Sequence, residues 1–207
     1  MQSGTTSLIL LVLAFTVWGA LHSLTASAVV KQRFAQWLGD AWVNRWYRLA
    51  YNLFAAITFL PILYITATAP SSGVTVLGGW FGRLALGIQL LMVVLMVLAV
   101  RQTGLMRFIG FAPQNDGNKD DSTEAAFITD GLYGIVRHPI YTTSLIALWF
   151  SRTWTDASYL FVVLVTLYIL IGIQFEERRL LREFGQVYAD YQKRVPMLIP
   201  FLKKVNP

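Results

Sequence analysis

Long apolar runs, divided by short polar stretches, set the pattern of this chain. The four longest cover residues 7–30, 49–68, 81–100 and 159–175. Each approaches the roughly 20 residues that a helix needs to cross about 30 Å of hydrocarbon, so they predict transmembrane helices. No Lys or Arg precedes the first run, and it continues to residue 30, so we expect a retained helix rather than a cleaved signal peptide.

A fifth apolar run, at 140–151, is shorter and would rise about 18 Å if it is helical. The polar stretch 152–156 predicts a tight turn that joins it to the run at 159–175 in a helical hairpin, which either spans the membrane or is partly re-entrant. We therefore expect an all-α integral membrane protein with about five transmembrane helices. Residues 1–207 would form a single membrane domain, with a three-helix part at 1–100.

The basic residues orient the predicted helices. The stretch 31–48 carries four basic residues and one acid, 69–80 carries no charge, and the tail from Glu176 onward carries seven basic residues. Because basic loops tend to stay in the cytoplasm, we expect the amino terminus outside and the carboxyl terminus in the cytoplasm. The segment 101–130 is then cytoplasmic as well, and its turn-rich, acidic part at 114–121 predicts a mobile loop.

Composition narrows the chemistry. The chain is 56% hydrophobic and only 14% charged, it has no cysteine, and its two histidines are His22 and His138. Disulfides and thiolate metal sites are therefore excluded, a histidine-rich centre is disfavoured, and we expect no metal. In a membrane protein the net charge of +6 fits cytoplasmic loops and anionic headgroups better than nucleic acid, so we expect no nucleic-acid partner.

Two pairs of ionisable residues flank the predicted hairpin, Arg137-His138 before it and Glu176-Glu177 after it. If the hairpin leaves and returns to the same face of the membrane, both pairs line one pocket with an apolar floor. Ionisable groups at such a boundary are costly to desolvate and mark a candidate functional site. Arg and His can hold a carboxylate and Glu an ammonium group, which suits a zwitterionic small molecule. Taken singly, each pair also fits an ordinary helix end.

The tail after these pairs carries an apolar stripe at helical spacing, with charged residues on the other side. The members of the stripe are Leu180, Leu181, Phe184, Tyr188 and Tyr191. The stripe predicts an amphipathic cytosolic helix. Such a helix either lies on the membrane surface or covers the predicted pocket with its tyrosines.

Three motifs occur in order around the hairpin. They are Gly131-x-Tyr-x-x-Val-Arg-His-Pro-x-Tyr141, Glu176-Glu177 and Phe184-Gly-x-x-Tyr-x-x-Tyr-x-x-Arg-Val-Pro196. Together they resemble the isoprenylcysteine carboxyl methyltransferase family, which is related to the membrane phospholipid N-methyltransferases. The resemblance implies a cofactor-binding region at 131–200.

The resemblance also implies S-adenosylmethionine as methyl donor, bound on the cytosolic side, and a lipophilic acceptor that enters from the surrounding membrane lipid. The cofactor-binding residues that it implies are Tyr133, Val136, His138, Pro139, Tyr141, Glu176, Glu177, Tyr188 and Tyr191. Arg137, Glu176 and Glu177 are the candidate catalytic residues. Either glutamate could act as a base if the acceptor is an amine, whereas a thiolate or carboxylate acceptor needs no strong base.

The first half of the chain carries a further resemblance. Leu21-His-Ser-Leu24 and Arg45-Trp-Tyr-Arg-Leu-Ala-Tyr-Asn52 are similar to a bacterial subgroup of this family that includes a methanethiol S-methyltransferase. This implies a bacterial inner-membrane protein whose acceptor is prenylcysteine, a phospholipid amine or a small thiol. The alternative is a non-enzymatic membrane accessory or sensor that keeps the fold.

Two residues stay open at this point. His22 either forms a hydrogen bond between helices or contacts the methyl acceptor. Thr143 stands where the family often has Gly, in the helix that follows the His138-Pro139 pair.

Overall fold

The computed structural model describes residues 3–111 and 127–202, so the predicted loop at 114–121 lies outside the described residues. The elements in chain order are α1 (Gly4–Ala26), α2 (Ala28–Leu38), α3 (Asp40–Thr68), β1 (Thr75–Val76), α4 (Gly79–Gln102), α5 (Leu105–Ile109), a 3₁₀ turn (Gly131–Gly134), α6 (Pro139–Trp149), β2 (Thr153–Trp154), α7 (Asp156–Phe184) and α8 (Gln186–Arg194). Four of these helices, α1, α3, α4 and α7, are long and apolar enough to span a membrane. The expectation of an all-α integral membrane protein is confirmed.

The first predicted span is two helices rather than one. Ser27 has an extended backbone (φ −71°, ψ 147°), which ends α1, and its hydroxyl oxygen accepts the Val30 N–H at the start of α2. A serine here begins a new helix because its side chain satisfies an N–H that has no partner within the helix. The predicted loop at 31–48 is therefore largely helical, in α2 and the first turns of α3.

The predicted fifth helix is present as α6, but it has 11 residues and rises about 16 Å, roughly half of the hydrocarbon thickness. It runs antiparallel to the middle of α7, residues 166–177. The indole N–H of Trp149 donates to Thr166 Oγ1 (3.1 Å), and at the other end His138 Nε2 lies 2.7 Å from Glu177 Oε1. The predicted hairpin is therefore confirmed, with α6 as its short arm.

The described helices form two compact units. The first unit contains α1, α2, α3, α5 and the start of α7, and α1 packs along α3. Its buried side chains include Leu11, Phe15, Val43, Ala55 and Ile62. The second unit contains α4, α6, the rest of α7 and α8, and α4 packs along α6. Its buried side chains include Ala85, Ala99, Val136, Ile173 and Tyr188. The single domain with a separate part at 1–100, and the orientation of the termini, stay predictions.

Candidate functional site

The site in the second unit begins where the chain meets the end of α4. Gly131 has a φ of 55°, and a Cβ at this position would overlap the side-chain amide of Gln102. The same amide accepts the Leu132 N–H through its oxygen (3.3 Å). Glycine adopts this left-handed backbone without the steric cost that a side chain adds, which explains the glycine that opens the first motif.

The backbone of the first motif is paired with the carboxy-terminal segment of the chain. The N–H groups of Arg137 and His138 donate to the carbonyls of Pro196 (2.9 Å) and Met197 (3.2 Å). One helical turn further on, Thr142 Oγ1 donates to the Leu198 carbonyl (2.8 Å). We call residues 195–198 the strap. The strap thus accepts hydrogen bonds from the backbone of the two residues that precede α6 and from a side chain in its first turn.

Glu177 is the centre of the site. Arg137 binds its carboxylate with two parallel hydrogen bonds, from Nε to Oε1 (2.9 Å) and from Nη2 to Oε2 (3.0 Å). His138 Nε2 and the Tyr188 hydroxyl each donate to Oε1 at 2.7 Å, and Gln192 Nε2 donates to Oε2. We call these five residues the Glu177 cluster. Because its donors are 11 to 40 positions from Glu177 in the chain, the cluster joins α6, α7 and α8.

Arg137 also holds the strap. Its Nη1 donates to the carbonyls of Gln192 (3.2 Å) and Val195 (2.7 Å), while the opposite edge of the guanidinium faces Glu177. The side chains of Arg137 and Glu177 are only 11% and 10% exposed. An ion pair removed from water to this degree is stable only when further hydrogen bonds satisfy both partners, and here they do.

A change of helix direction brings the tail tyrosines into the site. α7 continues through Glu177 to Phe184, and Gly185, with a φ of 55°, starts the separate helix α8. The predicted stripe is therefore divided between two helices, because a left-handed residue interrupts the helical spacing. The turn points Tyr188 and Tyr191 inward, where both are buried.

The two tyrosines act as hydrogen-bond donors. Tyr188 donates to Glu177, and Tyr191 donates to the Tyr133 carbonyl (2.6 Å). Burial, followed by the hydrogen bond to Glu177, raises the pKa of Tyr188, and burial raises the pKa of Tyr191. Both phenols therefore keep their protons at neutral pH. The Phe127 ring packs against both, with ring centroids 5.3 and 4.9 Å away.

Glu176 lies at the edge of the cluster rather than inside it. Its carboxylate is 3.8 Å from His138 Nδ1 and 4.0 Å from the guanidinium of Arg179. Its side chain is 32% exposed, and it interacts electrostatically with the Tyr141 hydroxyl. The Tyr141 ring is stacked beside the His138 ring, with centroids 5.6 Å apart. Glu176 and the exposed Arg179 therefore form an edge of the site whose charged groups face outward, and Tyr141 lies beside them.

The structure brings together most of the residues that the sequence singled out. Arg137, His138, Glu177 and Tyr188 are in direct contact, and Tyr133 is held through its carbonyl by Tyr191. The remaining predicted residues support these: Val136 and Pro139 are buried at the start of α6. Thr143, the departure from the family pattern, is buried with its hydroxyl donating to the Pro139 carbonyl (2.8 Å).

Gln192 is the member of the cluster that the sequence did not reveal. It lies between two motif residues, Tyr191 and Arg194, at a position that the motif leaves open. Its side chain donates to Glu177 and its carbonyl accepts from Arg137, so it contacts both halves of the ion pair. Nothing in the residue type or its spacing signals this role.

His22 lies in the first unit, among aromatic residues. Its ring stacks on Trp18, with centroids 4.8 Å apart and planes 21° apart, and its Nε2 is 2.7 Å from the Tyr51 hydroxyl. Trp18 in turn donates its indole N–H to the Ala55 carbonyl (3.1 Å), and Phe59 packs against it. We call these residues the His22 cluster. The hydrogen bond between His22 and Tyr51 joins α1 to α3, as the first of the two hypotheses for His22 predicts.

Comparison with known proteins gives this geometry its context. A family model described as phospholipid methyltransferase matches residues 77–187, more than half of the chain. The chain belongs to the phospholipid methyltransferase family. The resemblance drawn from the three motifs is thereby confirmed. The match includes the first motif and the Glu176-Glu177 pair, and it ends just before Tyr188.

The relatives differ in what their names say about the acceptor. Methanethiol S-methyltransferase 2 of Bradyrhizobium diazoefficiens is 49% identical over 77 residues, which cover 37% of this chain and 30% of the relative. Methanethiol S-methyltransferase 1 of the same bacterium is 31% identical over 203 residues, covering 90% of this chain and 66% of the relative. Protein-S-isoprenylcysteine O-methyltransferase B of Arabidopsis thaliana is 35% identical over 80 residues, covering 36% of this chain and 40% of the relative.

The chain therefore spans only 30% to 66% of the length of these curated relatives. No solved structure matches the chain.

Proposed function

We propose that this chain is an integral membrane methyltransferase that uses S-adenosylmethionine as methyl donor and methylates a small thiol. The proposal rests on one feature of the site. The motif residues converge on the buried carboxylate of Glu177, and a second carboxylate, that of Glu176, lies at the outward-facing edge beside it. Membership of a methyltransferase family supports the reaction class. The bacterial relatives support the thiol, since several are named methanethiol S-methyltransferase.

The charges of the site fit a zwitterionic donor if Glu176, rather than Glu177, contacts it. Glu177 already accepts five hydrogen bonds from four side chains, and a carboxylate has about four lone-pair sites. Arg137 and Glu177 therefore position the cluster. Glu176 can accept from the ammonium group of the donor and Arg179 can bind its carboxylate, by charge-assisted hydrogen bonds.

The bound donor would supply a methyl group on a sulfonium centre, and its transfer is a direct displacement by the acceptor. The protein mainly has to align the two reactants and exclude water, and no protein nucleophile is needed. In this proposal the buried Tyr188 and Tyr191, with the Phe127 ring packed against them, exclude water from one side of the site. A thiolate acceptor needs no strong base. This agrees with the structure, in which the Glu177 oxygens already accept hydrogen bonds from neighbouring side chains.

A second acceptor class is a lipophilic carboxylate such as prenylcysteine. The plant relative named protein-S-isoprenylcysteine O-methyltransferase favours it, at a lower identity than the bacterial matches of similar length. A membrane-embedded protein gives either acceptor access from the bilayer. An activity assay is needed to distinguish a small thiol acceptor from a lipophilic carboxylate.

The test is transfer of labelled methyl groups from S-adenosylmethionine by the purified protein in detergent, with methanethiol and farnesylcysteine as acceptors. We expect dimethyl sulfide from methanethiol, strongly reduced in Glu176→Gln. The control is Glu183→Gln, which changes an exposed glutamate of the same helix and should keep full activity. Farnesylcysteine methyl ester as the sole product would move the proposal to the second acceptor class. Donor binding without turnover on either acceptor would overturn it in favour of an accessory protein.

We also propose that the amino terminus is outside and the Glu177 cluster faces the cytoplasm, where S-adenosylmethionine is made. The basic residues of α2 and of the tail support this orientation. A phosphatase fused after the last residue should be inactive in a bacterial inner membrane, and the same enzyme inserted at residue 73 should be active. The reverse pattern would contradict the orientation.

A further inference from the structure

One face of α4 carries a groove that the proposed methyl transfer does not use. It has a volume of about 390 Å³ and is lined by Trp80, Arg83, Leu84, Gly87, Ile88 and Leu91. These residues recur every three or four positions, so they share one side of the helix. Gly87 adds no side chain to this face, and the space beside it is open, since a Cβ there would meet nothing within 4 Å.

Arg83 places a positive charge at one end of the groove, which favours an anionic ligand. Arg83 is exposed near the start of α4, and among the residues that the structure describes no carboxylate lies within ion-pair distance of it. Trp80, one turn earlier, is 63% exposed. Trp and Arg near the end of a membrane span characteristically lie at the level of the lipid headgroups. Arg83 is therefore placed to meet a phosphate.

The length of the groove matches one leaflet of a bilayer. From Trp80 to Leu91 the helix rises about 16 Å at 1.5 Å per residue. Half of the hydrocarbon thickness is about 15 Å. The groove therefore runs from the headgroup level to about the middle of the bilayer, and below Arg83 its wall is apolar. A phospholipid has a matching arrangement, with a charged phosphate at the headgroup level and an apolar acyl chain below it.

We propose that the α4 groove binds one anionic phospholipid, with the phosphate on Arg83 and an acyl chain lying over Gly87. A second copy of this chain fits less well. A symmetric dimer formed through this face would bring the two Arg83 side chains towards each other. The lipid instead supplies the opposite charge to Arg83 and fills the depression that Gly87 leaves.

The proposal is tested by native mass spectrometry of the full chain in detergent, titrated with palmitoyl-oleoyl-phosphatidylglycerol. We expect one lipid to remain bound at low lipid concentration. Arg83→Gln should weaken this binding about fivefold, which corresponds to about 1 kcal/mol for one basic residue near the headgroups. Gly87→Leu fills the groove and should weaken it by at least as much. Gly172→Leu is the matched control, since Gly172 is also a helical glycine with open space around it, and it should bind like the wild type.

Three further results decide between the possible ligands. Glycerol phosphate at millimolar concentration should not displace the lipid, because the acyl chain contributes to binding. Phosphatidylcholine should bind more weakly than phosphatidylglycerol. Equal lipid retention in the wild type, Arg83→Gln and Gly87→Leu would overturn the proposal, and so would a dimer that Gly87→Leu dissociates. Unfolding temperatures near that of the wild type show that each variant is folded, and none of these results depends on methyl transfer.

Discussion

The two units of this protein stabilise their ionisable groups in different ways. In the second unit, Arg137 and Glu177 are opposite charges held in a fully hydrogen-bonded cluster. In the first unit, His22 stacks on Trp18 and pairs with the phenol of Tyr51. One cluster depends on charge compensation and the other on aromatic packing. Removing one member should therefore have much larger consequences in the Glu177 cluster than in the His22 cluster.

The family match treats the two clusters differently. It covers residues 77–187, which include Arg137, His138 and Glu177 and end just before Tyr188, and it leaves the whole His22 cluster outside. We infer that the Glu177 cluster serves what the family has in common, the methyl donor. The His22 cluster then belongs to the part of the chain that is free to differ with the acceptor. If this division holds, substitutions in the Glu177 cluster should lower stability more than substitutions in the His22 cluster.

The largest effect is expected for Glu177→Ala. This change leaves the buried Arg137 guanidinium without its counter-charge and removes the acceptor shared by His138 and Tyr188. Breaking a buried ion pair in this way costs about 3–5 kcal/mol. Thermal unfolding in detergent measures the loss. Glu183→Ala, at an exposed position of the same helix, should change stability by no more than about 0.5 kcal/mol. Similar losses in the two variants would show that the cluster does not stabilise this unit.

Tyr188→Phe should cost less, because it removes one donor and leaves the ion pair in place. A hydrogen bond to a charged group contributes about 2 kcal/mol. The unfolding temperature of Tyr188→Phe should therefore fall between those of the wild type and Glu177→Ala. Tyr64→Phe removes a hydroxyl from a tyrosine that is 69% exposed and serves as the control. An unchanged unfolding temperature in Tyr188→Phe would contradict the geometry of the cluster.

Two glycines of the second unit form a matched pair for the turn into α8. Gly185→Ala forces a side chain into a left-handed backbone and should destabilise by about 1 kcal/mol, although the space around it is open. Gly172→Ala lies inside α7 with similarly open space, and should be neutral or stabilising by up to about 1 kcal/mol. Chemical or thermal unfolding compares the two. If both alanines have the same effect, the positive φ at Gly185 is not what sets the direction of α8.

The smallest effect is expected for His22→Ala, at about 1 kcal/mol of stability, because interhelical hydrogen bonds in membranes are weak. Affinity for S-adenosylmethionine should not change. Tyr51→Phe, which removes only the phenol hydroxyl, should reproduce most of the loss. A raised KM for methanethiol with unchanged donor affinity would assign His22 to acceptor binding. Weakened donor affinity in His22→Ala would contradict the division between the two clusters.

Much of this architecture was predictable from sequence because it depends on local pattern. The apolar runs gave the long helices, and the polar stretch at 152–156 gave the turn of the hairpin. The ends of the helices were harder to predict from the sequence. Ser27 divides the first predicted run into two helices, and α3 begins nine residues before the run that predicts it, because helices continue into polar sequence where packing allows.

The site was predicted as a set of residues but not as a network. The motifs brought Arg137, His138 and Glu177 together, since their order around a hairpin implies proximity. The engagement of Glu177 by its own neighbours depends on tertiary contacts with Tyr188 and Gln192, which no spacing reveals. The direction of α8 depends on the positive φ of Gly185, and the apolar stripe continues on both sides of that glycine as if one helix carried it.

If the outward edge of the Glu177 cluster holds the methyl donor, as we propose, calorimetric titration of the detergent-solubilised protein with S-adenosylmethionine should detect its binding. We predict saturable binding to the wild type and to Glu183→Gln. Affinity should fall about tenfold or more in Glu176→Gln, from the loss of one charge-assisted hydrogen bond. Absence of saturable binding to the wild type, or equal affinity in the wild type and Glu176→Gln, would show that Glu176 does not hold the donor.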